Sequence, residues 1–471
     1  LLIHVVRSGE SLRQIAERYG VALSRLLEVN EWSAGDPIIP GLALLIPTAS
    51  RYHTVRPGET IWQIAARYGV SAEAVIRANP SVNPANLRPG MILVIPPVRH
   101  TVRAGETIAG IAGRYRTTVQ AILSANAITD PNRLVPGTVL AIPAGEKPSI
   151  ETNGFTYLSG SEGAAAIDQV GDLLTFMAPF AYRIQANGGL EPFPDEALIP
   201  RATAKRVTPM MAITNFTSSD PGSALAHAVL ANESVQETLL DRILATMRAK
   251  GYRGLNVDFE NVYPQDRNAY NRFLERARDR LHAAGYFLST SLAPKTSGAQ
   301  QGLLYEAHDY AAHGRIADFV VLMTYEWGYR LGPPRAISPI GNIKQVLDYA
   351  VAVIPRHKIM MGFQIYARDW LLPHVPGREA ETFSPREAIR RAVRYGAVIQ
   401  YDEASASPYF RYYDERGRLH EVWFEDARSA LAKFELLKSY PLRGVSYWVL
   451  GYDYPENWAL LGDLFTIIKR P

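Results

Sequence analysis

The chain has 471 residues, 47% hydrophobic and 20% charged, with a net charge of +4 and no cysteine. That length exceeds one compact core and asks for two or more domains. The lack of Cys excludes disulfides, thiolate nucleophiles and Cys-bound metal, and no run of about 18 apolar residues offers a transmembrane helix. Residues 1–150 carry 15 Lys+Arg against 10 Asp+Glu and the remainder 35 against 36. So slight an excess suits an anionic polymer but is too small to argue for nucleic acid, and no nucleic-acid partner is expected. The opening run Leu1-Leu2-Ile3-His4-Val5-Val6 has no basic stretch ahead of an apolar one. No export signal is expected there unless the start has been trimmed.

The first third repeats three times. Gly9-Glu10-Ser11-Leu12, Gly58-Glu59-Thr60-Ile61 and Gly105-Glu106-Thr107-Ile108 each follow a short strand signal. Arg-Tyr recurs at 18–19, 67–68 and 114–115, Asn at 30, 79 and 126, and a closing Pro-Gly leads to Ile-Pro each time. In the second copy, Thr60 is placed to cap a helix that presents Ile61, Ile64, Ala65 and Tyr68 on one face. Gly69 falls where a left-handed C-terminal residue belongs, and a second helix from Ser71 is expected to turn Ala74, Val75 and Ala78 inward. Each copy therefore reads as a small βααβ unit.

This pattern resembles the LysM module, and the expected boundaries are 1–48, 52–97 and 99–144. The resemblance implies binding of N-acetylglucosamine-containing glycans, chitin or peptidoglycan. It places the sugar groove at the three Gly-Glu-Ser/Thr-Leu/Ile turns and the loops after Asn30, Asn79 and Asn126. The same residues can equally serve to build the turn and cap the helix. Three weak sites in series would gain from avidity on a polymer. The linkers are read at 48–51, 97–99 and 144–149.

From residue 150 to 471, strand-like runs alternate with helical ones. Runs at 153–157, 173–178, 206–213, 254–260, 287–292, 319–325, 358–365 and 445–450 predict a (β/α)8 TIM barrel. The interval between the seventh and eighth runs is too long for one helix. Segments at 374–379, 398–402, 409–414 and 422–425, with a hairpin turn at Glu415-Arg416-Gly417-Arg418, predict an α+β insertion over about 369–437.

Functional residues of such barrels gather at the C-terminal strand ends. That rule selects Asn256, Asp258 and Glu260 on run four, Met323 to Trp327 after run six, Gln364 and Tyr366 on run seven, and Tyr447 and Trp448 on run eight. Asn215, at the end of run three, is a candidate for either substrate contact or a turn. Two carboxylates on one strand face suggest glycoside hydrolysis, in which like charges force one of the pair to keep a proton. Glu260 can deliver that proton. Asp258 lies one pleat deeper, so its expected work is to hold another group.

The stretch Arg253-Gly254-Leu255-Asn256-Val257-Asp258-Phe259-Glu260 resembles the glycoside hydrolase family 18 signature D-x-x-D-x-D-x-E. The resemblance implies attack by the substrate's own acetamido carbonyl, with retained configuration. It makes Glu260 the acid/base, Asp258 the holder of the acetamido group, Tyr325 its hydrogen-bond partner and Trp448 the platform under the sugar. Met323, Glu326, Trp327 and Gln364 are candidates for substrate contact. Three departures stand out: Arg253 for the first Asp, Asn256 for the second, and Glu326 where many members have Asp. An amide at 256 can hydrogen-bond Asp258 but cannot share a proton with it.

LysM repeats joined to this barrel resemble the cortical-fragment lytic N-acetylglucosaminidases of spore-forming bacilli, although a third LysM copy departs from the usual two. The expected activity is therefore hydrolysis of spore-cortex peptidoglycan containing muramic-δ-lactam during germination, at the coat–cortex boundary. A LysM-anchored chitinase and a non-hydrolytic glycan-binding coat protein are the alternatives. The ten His show no metal-ligand spacing and no phosphate-binding Gly-rich loop occurs, so neither metal nor cofactor is expected.

Overall fold

The structure, a computed structural model, describes residues 1–48, 51–80, 82–115, 117, 119–128, 130–131, 134–143 and 147–470. The linkers read at 48–51 and 144–149 lie partly outside these residues.

Each N-terminal module is a two-stranded sheet with two helices. In the second, strands Arg51–Thr54 and Ile92–Ile95 pair antiparallel around helices Ile61–Tyr68 and Ala72–Ala78. Thr60 caps the first helix by accepting from the Gln63 N–H while Gln63 bonds back to the Thr60 N–H, so two otherwise orphaned donors are satisfied reciprocally. Gly69 ends it at φ 65°, where a Cβ would be strained. Ile61, Ile64, Ala65 and Val75 form the core together with Leu93 and Ile95. Ala72, rather than Ala74 or Ala78, is the buried alanine of the second helix. Helices Leu12–Tyr19 and Leu23–Asn30 build the first module, and Ile108–Tyr115 and Val119–Ala125 the third.

The C-terminal part closes a barrel of eight parallel strands: β1 (Ser149–Thr156), β2 (Phe176–Pro179), β3 (Thr208–Thr214), β4 (Gly254–Asp258), β5 (Phe287–Leu292), β6 (Phe319–Leu322), β7 (Ile359–Gln364) and β8 (Gly444–Trp448). Every neighbouring pair is parallel, and β8 returns to β1 to complete the ring. All eight runs read from the sequence are present. Strands four and six stop earlier than their apolar runs, at Asp258 and Leu322. The backbone leaves the ladder there to form the mouth.

The barrel interior is layered. Phe176, Met210, Phe319, Val321 and Met360 fill part of it, with the Phe176 and Phe319 rings stacked 5.4 Å apart. Elsewhere it is polar, with Asn153 donating to Ser446 at 2.9 Å and Asn256 facing Ser289. Outward residues Leu255 and Val257 are fully buried.

Between β7 and β8 lies the insertion, a five-stranded antiparallel sheet with helix Pro385–Arg394. Its hairpin pairs Ser407–Tyr413 with Leu419–Trp423, and Gly417 turns the chain at φ 70°. The segment 374–379 forms a turn, with Gly377 at φ 81°. A strand precedes it, at Ala367–Leu371. Among the described residues, no helix is long and apolar enough to cross a membrane.

Candidate active site

On β4 the period of two turns Asn256 and Asp258 into the barrel. Asn256 is matched in register with Ser289 of β5. It donates to Ser289 Oγ at 3.0 Å and accepts from Ser291 Oγ at 3.1 Å. Its amide is thus used sideways, along the polar layer, and no bond joins it to Asp258. Asp258 is 4% exposed and its Oδ1 has no partner among the described residues. A buried carboxylate oxygen left unmatched is costly and marks a place that a ligand donor can fill.

Burial, and then the charge of Glu260, push the Asp258 carboxyl well above its usual range. Glu260 sits two residues beyond the last β4 residue and is half-buried. Burial, and then the Glu326 carboxylate, push it up to about 7. Two neighbouring acids in this setting retain a proton between them near neutral pH.

Glu326 follows Tyr325 at φ 70°, a conformation that few non-glycine residues adopt. Arg368, from the insertion's Ala367–Leu371 strand, grips it with two bonds of 2.8 and 3.0 Å, and Tyr366 OH donates to it as well. Its carboxylate is therefore largely engaged within the protein. Tyr325 is buried, and a Cβ at Gly362 of β7 would come within 2.9 Å of its ring. Burial, then the charges of Asp258, Glu260 and Glu326, push its phenol far up, so it remains a donor.

Trp448 ends β8 half-buried, its ring 4.8 Å from Phe180 and 5.8 Å from Phe155. Met323 and Trp327 are half-buried at the same mouth. Gln364 is fully buried, and its Nε2 donates to Glu425 at 2.7 Å. Glu425 is itself held by Lys433 at 2.5 Å. Asn215 is fully buried too, with its amide on the Glu260 backbone. The structure thus gathers Asp258, Glu260, Tyr325 and Trp448 at one mouth, and takes Gln364 and Asn215 beneath its surface.

Residues 177–453 match the model of glycosyl hydrolases family 18. The chain belongs to that family. As a family 18 member it is a glycoside hydrolase, and residues 4–47, 53–96 and 100–143 match the LysM domain. It is 46% identical to the cortical fragment-lytic enzyme of Bacillus subtilis strain 168, over 69% of this chain and 76% of that protein. Against the Bacillus cereus cortical fragment-lytic enzyme it is 44% identical over 64% of this chain and 70% of that one. The crystal structure of the Bacillus megaterium QM B1551 spore cortex-lytic enzyme SleL superposes with a TM-score of 0.69 at 41% identity, covering 90% of this chain and 99% of that one.

Around this family 18 barrel, sequence reading passed over three residues. Ser289 and Ser291 became partners of Asn256 through register, which a single strand does not encode. Arg368 lies on the strand Ala367–Leu371, just after Tyr366, and its pairing with Glu326 needed the insertion in place.

The LysM turns give their side chains structural work. Gly9, Gly58 and Gly105 take φ of 81°, 77° and 82°. Leu12, Ile61 and Ile108 are core. Ser11 and Thr60 cap helices, and Thr107 accepts from the Gly110 N–H. Glu59 accepts from His53 Nε2 at 2.6 Å, from the Arg56 N–H at 2.9 Å and from Arg67 at 2.9 Å. Although burial pushes its carboxyl up, the Arg56 N–H and His53 bring it below its ordinary value. Glu106 repeats the arrangement with His100, the Arg103 N–H and Arg114, and Glu10 accepts from the Arg7 N–H. Asn30, Asn79 and Asn126 each brace the second helix against the last strand, donating to two carbonyls and accepting one N–H.

Proposed function

We propose that this chain is a retaining, substrate-assisted β-N-acetylglucosaminidase that hydrolyses spore-cortex peptidoglycan, acting on fragments with muramic-δ-lactam during germination. The observation that carries the reading is the pairing of Glu260, whose carboxyl is raised into the neutral range, with Asp258, whose buried Oδ1 has no partner. The proton on Glu260 passes to the glycosidic oxygen as the bond from that oxygen to C1 breaks. The substrate's acetamido carbonyl oxygen bonds to C1 from the other face. Asp258 accepts the acetamido N–H and so stabilises the charge that spreads over the resulting oxazolinium ring. Tyr325 OH donates to the acetamido oxygen, and Trp448 lies under the ring at the scissile bond. Glu260, now a carboxylate, takes a proton from water as the water oxygen bonds to C1 and the bond from C1 to the acetamido oxygen breaks, which restores the acetamido group. Two inversions leave the configuration retained.

The three LysM modules hold the enzyme on the polymer. Because the Glu10, Glu59 and Glu106 side chains serve the turns, sugar contact there falls to the exposed backbone of Gly9, Gly58 and Gly105 and the loops after the Asn braces. The partner is peptidoglycan, and the site of action is the spore. The names of the cortical fragment-lytic relatives support the choice of substrate.

The test compares wild type with Glu260→Gln on cortex fragments, vegetative peptidoglycan and chitin oligomers, with the product anomer read by NMR. Release from cortex fragments as the β-anomer, abolished in Glu260→Gln, is expected. Release from chitin oligomers alone would make this a LysM-anchored chitinase. No release from any of the three would leave a non-hydrolytic glycan-binding protein.

A further inference from the structure

We infer that His308 and Asn215 are positioning residues that hold the Glu260 peptide from both sides; this rests on the assignment of Glu260 as acid/base. Strand pairing ends below Glu260. The ladder to β3 stops at Thr214 with Asp258, and that to β5 at Thr290 with Val257. The backbone groups of Phe259 and Glu260 are therefore beyond the reach of the sheet, yet they lie in a buried place and need partners.

Two side chains supply them. Asn215, one residue past the end of β3, accepts from the Glu260 N–H at 2.9 Å and donates to the Glu260 carbonyl at 2.8 Å. Its Nδ2 also reaches the Gly222 carbonyl at 3.1 Å. Gly222 has φ 69°, and a Cβ there would meet the Asn215 carbonyl oxygen at 2.0 Å. From the opposite flank, His308 Nε2 donates to the Phe259 carbonyl at 2.8 Å. His308 Nδ1 accepts from the N–H of Ala293, the residue after β5, at 2.8 Å. That pair of bonds fixes one neutral tautomer, and burial, ahead of the nearby Lys295 cation, keeps the imidazole neutral. The two peptide units flanking the Glu260 Cα are thus fastened to β3 and β5, the two neighbours of β4.

Neither residue can serve the reaction directly, since Asn215 is 0% and His308 1% exposed. Phe259 adds an apolar anchor, its ring stacked with Phe273 at 5.8 Å and Tyr270 at 5.6 Å. Clips of this kind fix the backbone from which the carboxyl projects, and a displacement of about 1 Å at a reacting group costs on the order of 10²-fold in rate.

The full chain is assayed on short soluble cortex fragments. His308→Leu and Asn215→Ala are expected to lower kcat by 10- to 100-fold, with KM changed less than threefold. His308→Gln, whose amide can still donate to the Phe259 carbonyl, should recover most of kcat. A rise in KM with kcat intact, unchanged kinetics, or His308→Gln no faster than His308→Leu would overturn the inference. If His308→Leu yields no folded protein, His308→Gln decides alone, and a loss beyond tenfold overturns it. Glu260→Gln separates the two readings. If it stays active, the acid/base assignment fails; if it is inactive while His308→Leu and Asn215→Ala are normal, only the positioning role fails.

Discussion

Glu260→Gln should stabilise the barrel while abolishing activity, and the stabilisation should depend on pH in a defined direction. The Glu260 carboxyl is raised from 4.5 to about 7 in the folded protein. A raised carboxyl contributes its stability below the unfolded pKa and loses it as pH climbs through the folded one. Wild type therefore gives up roughly 3 kcal/mol as pH rises from 4.5 to beyond 7. Gln at this position is neutral throughout and gives up nothing. Its removal of charge also relieves Asp258, which Glu260 raises, and that adds in the same direction. The two proteins should therefore have nearly equal stability below pH 4.5, diverge between pH 4.5 and pH 7 and keep a constant gap above that, with the variant melting higher by about 5 °C at pH 8. Differential scanning calorimetry at both pH values measures this on the barrel transition. A difference in Tm that is the same at both pH values, or a variant less stable at pH 8, would refute the account of Glu260 as a carboxyl held protonated by burial.

The same shift predicts that kcat/KM for cortex fragments falls as pH rises through about 7, because the acid form of Glu260 is lost there. Asn256→Asp places a third carboxyl in the polar layer between Ser289 and Asp258; its like charge should raise Asp258 further and move the kcat/KM profile to higher pH, read against wild type under identical salt. Glu59→Gln removes the negative charge held by His53, the Arg56 N–H and Arg67 in module two, and leaves one acceptor oxygen where there were two. Because Glu59 is held below its ordinary value, its contribution exists above the unfolded pKa and fades as pH falls, so the variant should lower the Tm of residues 52–97 at pH 7 and hardly at pH 3. Deleting residues 1–144 should weaken pull-down on insoluble peptidoglycan by tenfold or more at unchanged kcat on short fragments, through lost avidity. A matching collapse of kcat would mean that anchor and chemistry are not separable.

Where the sequence was legible, one periodicity governed. Alternation of apolar residues located all eight barrel strands, and the threefold repeat located the modules, because both patterns state which face of an element is buried. What stayed hidden depended on neighbours. Asn256 could be seen beside Asp258 along its own strand, yet its partners are Ser289 and Ser291, set by the register of β4 against β5. Gln364 and Asn215 stood at strand ends, where the barrel rule places functional groups, but packing under the mouth turned both toward protein atoms. The Glu59 network could have been read, since His4, His53 and His100 recur in step with Tyr19, Tyr68 and Tyr115, and a buried His recurring beside an acid needs that acid as its partner. Glu260 shows most clearly why the rest was not readable. It lies two residues past the end of β4, so the strand's alternation no longer dictates where its side chain points. The orientation of its backbone is fixed instead by Asn215 and by His308, which bonds to Phe259 across a sequence separation of 49 residues. Where the chain leaves the regular ladder, as it does at Glu260, the local pattern that places Asn256 and Asp258 falls silent and distant side chains take over the hydrogen bonds.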